Sequence, residues 1–218
     1  MRIHRLGSYS WLLAAPLFLA ANVITGLAWR HPRFSWAANN ISDLGNVTCG
    51  NWGTSRPREV CSPWHGAMNT ASVVTGVLLA LGMLLTWPAL GRGAATTAAR
   101  LLTLAAGAGY VLAGAYPADV NENNHVLGAV LIFIPGNVGM VVASLARRSP
   151  VLRPVRAASL ALGLIGLAGT ALFAAQVDLG IGVGGMERVA VFPLLAWAVV
   201  VAVRLLRGAH RPGPGHGW

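Results

Sequence analysis

Five residues of this chain carry side chains suited to acid–base or metal chemistry, and each stands at or beside the end of an apolar run. They are Asp43 in "NNISDLG", His65 in "PWHG", Asp119 and His125 in "YPADVNENNHVLGA", and Glu187 in "GGMERV". Two imidazoles and three carboxylates could supply general acids and bases; His65, His125 and Asp119 could alternatively ligate a divalent metal. Asn22, Asn69 and Asn137 lie within apolar runs, Asn124 precedes His125, and Arg188 follows Glu187. These five are the candidate substrate-binding groups, with Arg188 suited to an anionic headgroup or pyrophosphate.

The elements that must position these residues are membrane spans. Only 10% of the residues are charged, 55% are hydrophobic, and the mean hydropathy is +0.61. A soluble domain carries roughly 25% charged residues. Six apolar runs approach the roughly 20 residues a bilayer requires: 9–29, 66–87, 101–117, 126–146, 157–176 and 189–206. The third is the shortest, and "AATTAAR" ahead of it can extend it. The first run has a basic start like an export signal. It continues to Trp29 without a small-residue cleavage site, which predicts a retained helix. The expected fold is all-α: one six-helix transmembrane domain over 1–207, an extracytoplasmic cap loop over 30–65, and a disordered cytoplasmic tail over 208–218.

Charge sets the expected orientation. All 16 basic residues are Arg. Eleven of them (Arg2, Arg5, Arg92, Arg100, Arg147, Arg148, Arg153, Arg156, Arg204, Arg207 and Arg211) fall at the N-terminus, in loops 2–3 and 4–5, or after the last run. The positive-inside rule then predicts both termini in the cytoplasm of a bacterial cell, with the protein in its cytoplasmic membrane. The net charge of +10 is accounted for by topology and lipid headgroups, without a nucleic-acid partner. All six acidic residues, and His31, His65 and His125, fall on the other side.

The long loop holds both cysteines, Cys49 and Cys61, whose spacing fits a disulfide in an oxidising compartment better than a metal knuckle. Trp36, Trp52 and Trp64 suit a folded cap lying against headgroups. Ser42 and Asp43 are expected to cap a short helix across the mouth, and Asn123 or Asn124 to cap the fourth span. Pro135-Gly136 predicts a kink whose freed backbone Asn137 can satisfy. Gly107, Gly109 and Gly114, and likewise Gly163, Gly166 and Gly169, mark close-packing helix faces. The glycines from Gly180 to Gly185 follow an apolar helix instead of a strand, so they are not a dinucleotide fingerprint.

In order and wording, "NNISDLG", "PWHG", "YPADVNENNHVLGA" and "GGMERV" resemble the bacterial and archaeal domain-of-unknown-function family numbered 998. The resemblance covers roughly residues 9 to 206 and implies a six-helix integral membrane protein, distantly similar to the Frag/DRAM/Sfk group. It implies architecture and no activity.

Two functions compete. The first is an enzyme at the outer face acting on a lipid or isoprenoid, by metal-assisted hydrolysis or acid-initiated cyclisation. Asp43, Asp119 and Glu187 would be its acids or bases, and His65 and His125 ligands or proton carriers. The second is a non-catalytic binder, regulator or accessory subunit, in which the carboxylates cap helices and pair with Arg30, Arg56 or Arg188. A transporter or a haem between His65 and His125 fits less well, because the halves show no repeat and no charge lies in mid-span.

Overall fold

A computed structural model describes residues 3–53 and 56–208. Arg2, Arg211 and nearly all of the anticipated tail, 209–218, lie outside the described residues. Seven α-helices build six spans: α1 (Ile3–Ala28), α2 (His65–Thr86), α3 (Ala94–Ala115), α4 (Glu122–Leu131), α5 (Asn137–Ser144), α6 (Arg156–Ala174) and α7 (Val183–Gly208). A π-helical turn, Ile132–Gly136, joins α4 and α5 into one span. All six spans are long and apolar enough to cross a bilayer. The third span begins at Ala94 and not Leu101, because "AATTAAR" continues the helix as the composition allowed.

The spans pack in chain order and close on themselves, α7 returning to α1. Trp11, Phe18, Tyr110, Met140, Leu194 and Trp197 fill the interior. Small residues set the spacing. A β-carbon on Gly109 would meet Gly128 O at 2.6 Å, and one on Gly163 would meet Asn137 O at 2.9 Å, so these backbones approach directly. Pro135 lies inside the π turn. Asn137 Nδ2 donates to Phe133 O at 2.8 Å and to Ala190 O at 3.0 Å, tying this span to α7.

The connector between α1 and α2 is a folded cap. Strands β1 (Gly50–Trp52) and β2 (Arg58–Val60) pair antiparallel, with Gly50 opposite Val60 and Trp52 opposite Arg58. That register sets Cys49 against Cys61, and the two form a disulfide with Cα atoms 4.2 Å apart. At the opposite end, Arg100 is not a free loop charge. It lies in α3, stacks on Trp87 at 4.7 Å, and donates to Trp87 O and Gly91 O.

Candidate functional site

The capped end gathers the starts of α2, α4 and α7 and the ends of α1, α3 and α6. Over it lies a 3-10 turn, Ser42–Gly45, which carries the acidic residue of "NNISDLGN". Asp43 is 2% exposed. Its carboxylate takes a two-pronged ion pair from Arg58, Nε at 2.6 Å and Nη2 at 2.5 Å. It also accepts the backbone N–H of Asn40 at 2.9 Å and an Asn39 amide at 3.3 Å. The hairpin thus brings in the cation that neutralises the turn.

Glu187, 6% exposed, reaches the same turn from α7 and accepts the Ile41 N–H at 2.5 Å. Its neighbour Arg188 lies against Phe34 and Trp36 at 5.6 and 5.2 Å. Through Nη1 it donates to the carbonyls of Trp36, Asn39 and Gly184. Arg56 bridges the cap internally, donating to Ala38 O and to Asn40 Oδ1. Burial and the nearby Arg58 charge pull the Arg56 guanidinium below its ordinary range. Among the expected cations, Arg56 and Arg188 therefore hold carbonyl and amide oxygens of the cap; the carboxylate partner is Arg58.

Asp119 serves the loop. Its Oδ2 accepts from Val47 N at 2.8 Å, Thr48 N at 2.7 Å and Thr48 Oγ1 at 2.9 Å. His125, in the first turn of α4, turns Nδ1 toward Ala113 O at 3.2 Å and Tyr116 O at 3.0 Å. Both partners are acceptors, so Nδ1 donates, which in the neutral form of the ring leaves the lone pair on Nε2. The cap of α4 is Asn121, whose side chain accepts the Asn124 N–H at 3.1 Å. Neither Asn123 nor Asn124 caps it, because the helix starts at Glu122, four residues before the apolar run at Val126.

Two clefts open at this end and adjoin. The deeper one is walled by Phe18, Met68, Tyr110, Ile132 and Val191, with Asn69 and Ser72 on the α2 side. The outer one is walled by Asp43, Arg58, Asn46, Trp52 and Glu122, and by Val126 and Phe173 on the outward helix faces. Ser42, His125, Ala129, Phe133 and Glu187 line both. Phe133 and Phe173 meet edge to face at 5.6 Å beside this junction.

Of the five acid–base candidates, Asp43, His125 and Glu187 share the outer cleft. Asp119 and His65 line neither cleft. Among the described residues, no three His, Cys, Asp or Glu side chains come together as a metal site would require. The set His65, His125 and Asp119 is therefore not gathered here.

Of the polar candidates, Asn69 lines the deeper cleft and donates to Gly45 O at 2.8 Å. Asn22 and Asn137 are buried between helices. Asn124 and Arg188 line neither cleft. Sequence reasoning missed Arg58, Tyr110 and Asn46, and it placed Trp52 in the cap without assigning it to a cleft. A tyrosine among glycines and alanines in a span was the one visible cue, and it reads equally well as packing.

Fold and site together define a six-helix integral membrane protein whose polar cap, stapled by a disulfide, covers a two-part cleft. The chain belongs to the DUF998 family: the family model, described as "Protein of unknown function (DUF998)", matches residues 12–204. No curated protein matches the chain, and no solved structure does.

Proposed function

We propose that the protein binds an amphiphile, a lipid or isoprenoid, drawn from the extracytoplasmic leaflet of the bacterial cytoplasmic membrane. The apolar part occupies the deeper cleft and the polar head the outer one. One observation carries this reading: the two clefts share a wall, so an apolar pocket opens directly onto a polar one. The lining chemistry supports it. Asn46 Oδ1 and Trp52 Nε1 are buried beside the outer cleft without partners among the described residues, an acceptor and a donor for a head. Val126 is 50% exposed on the outward face of α4, which supports entry from the bilayer. The end rich in arginine then faces the cytoplasm, with both termini.

Full-length protein should retain an amphiphile through purification in mild detergent. Ala113→Trp and Ala129→Trp, which fill the deeper cleft and the junction, should lose it while keeping their fold.

A second reading, an enzyme acting on that head by acid–base chemistry, is favoured by the His125 tautomer. Its Nε2 lone pair is free to take a proton, and the Glu187 carboxyl stands on the same shared wall. In this reading Asp43 and Asp119 hold the cap and do no chemistry. Mass spectrometry of the retained species separates the readings. An enzyme requires His125→Gln or Glu187→Gln to accumulate a precursor of different mass from the wild-type species. A binder retains the same molecule in all three.

A further inference from the structure

We infer that the end of the bundle opposite the cap holds a site for the headgroup phosphate of an anionic phospholipid, formed by Arg92, Arg147 and Arg148. The inference is independent of the amphiphile reading, which concerns the capped end. It assigns headgroup contact to one groove instead of to basic loops in general.

Arg92 lies between α2 and α3, and Arg147 and Arg148 lie between α5 and α6, yet all three line one groove together with Leu145. All three are exposed. Arg147 and Arg148 also line an adjoining groove with Arg153 and Arg156. No carboxylate balances this charge. The six acidic residues, Asp43, Glu59, Asp119, Glu122, Asp178 and Glu187, all stand at the capped end. Among the described residues the one ion pair, Arg58 with Asp43, is there too. Guanidinium groups gathered without a counter-charge repel one another. A phosphate supplied from outside relieves that repulsion and accepts their paired N–H bonds.

The positive-inside rule asks only for charge somewhere in these connectors. Here the two connectors are built against each other. Gly91, with φ +84°, packs on the second connector: a β-carbon there would meet Pro150 Cδ at 2.8 Å. Arg100 fastens the first connector through Trp87 O and Gly91 O. Ser149 fastens the second. Its Oγ accepts the Leu152 N–H at 2.9 Å and its own N–H donates to Ala146 O at 3.0 Å. The fastened residues Gly91 and Ser149 directly adjoin Arg92 and Arg148 in the chain, so the arginines rise from a fixed platform.

The apolar surroundings favour a lipid over a free phosphate. Leu145 lines the groove and is 61% exposed. Leu101, also exposed, stands roughly 10 Å along α3 from its start at Ala94, toward the bilayer centre. A soluble phosphate makes no use of these surfaces. A phospholipid whose phosphate sits on the arginines lays its chains along them.

The test uses the full chain in neutral detergent micelles and a fluorescent phosphatidylglycerol displaced by competitors. Phosphatidylglycerol should compete about a hundredfold better than zwitterionic phosphatidylcholine, at about fivefold per arginine. Glycerol 3-phosphate should compete far more weakly than phosphatidylglycerol. Each of Arg92→Gln, Arg147→Gln and Arg148→Gln should cost about fivefold, and the three together should remove the discrimination. Arg5→Gln with Arg207→Gln, at the same end but outside the groove, should change it less than about twofold. Ala113→Trp, in the clefts of the capped end, should leave it unchanged. Equal competition by phosphatidylcholine or by glycerol 3-phosphate would overturn the inference. So would a loss in the Arg5/Arg207 variant as large as in the triple variant, or a loss caused by Ala113→Trp.

Discussion

Glu187 Oε2 accepts the backbone N–H of Ile41 at 2.5 Å, joining residues 146 positions apart in the chain. The contact seats the start of the 3-10 turn on the first turns of α7. It also fixes a carboxyl on the wall common to both clefts. The one acidic residue that touches the deeper cleft is thus also an anchor of the cap.

Exchanging Glu187 should separate these roles. Glu187→Gln keeps an oxygen for Ile41 and should change stability little. Glu187→Ala leaves the buried Ile41 N–H unpaired and should destabilise by about 1–3 kcal/mol. Thermal unfolding of the detergent-purified proteins is the measurement.

The Asp43–Arg58 pair should behave as a largely buried ion pair. Arg58→Met strands a carboxylate that is 3% exposed, while the arginine side chain itself retains 17% exposure. The expected loss is about 2–3 kcal/mol, below that of a fully enclosed pair. Asp43→Asn with Arg58→Met should recover part of it. Unfolding midpoints of the two single variants and the double variant decide whether the coupling exists.

The disulfide closes a ring with a sequence separation of 12. Cys49→Ser with Cys61→Ser should destabilise by about 3 kcal/mol on the chain-entropy argument. In intact cells, a membrane-impermeant maleimide should label the wild-type cysteines only after reduction. Labelling by a permeant reagent alone would place the cap in the cytoplasm and reverse the orientation.

Gly166 faces the Asn137 amide so closely that a β-carbon there must displace it. Gly166→Ala should release the bonds to Phe133 O and Ala190 O and destabilise by about 1–3 kcal/mol. In an Asn137→Ala background the same change should be much milder. A thermal-stability double-mutant cycle measures that coupling.

The spans were legible because lipid solvation demands long apolar runs, and the sidedness of charge reports which helix ends share a face. An irregular turn at Pro135 was legible as well, since proline removes a donor at a fixed place; Asn137 bonds Phe133 O and Ala190 O instead of the carbonyl the proline leaves. The site was legible only in outline. Asp43, His125 and Glu187 line one cleft, but nothing in the spacing tells that Arg58 reaches Asp43 through a hairpin. Nor does it tell that Asp119 binds Val47 and Thr48 across 72 and 71 positions. Such contacts depend on how a loop folds back, which hydropathy does not encode. Tyr110 was hidden for another reason: a buried aromatic in a span looks like core until its hydroxyl is found without a partner among the described residues.

The central claim, an amphiphile seated across the paired clefts, is tested most directly by native mass spectrometry of wild type beside Ala113→Trp and Ala129→Trp. The account predicts a bound amphiphile of defined mass on the wild type that is absent from both folded variants. A wild type that releases no bound species, or variants that retain it at wild-type occupancy, would contradict it.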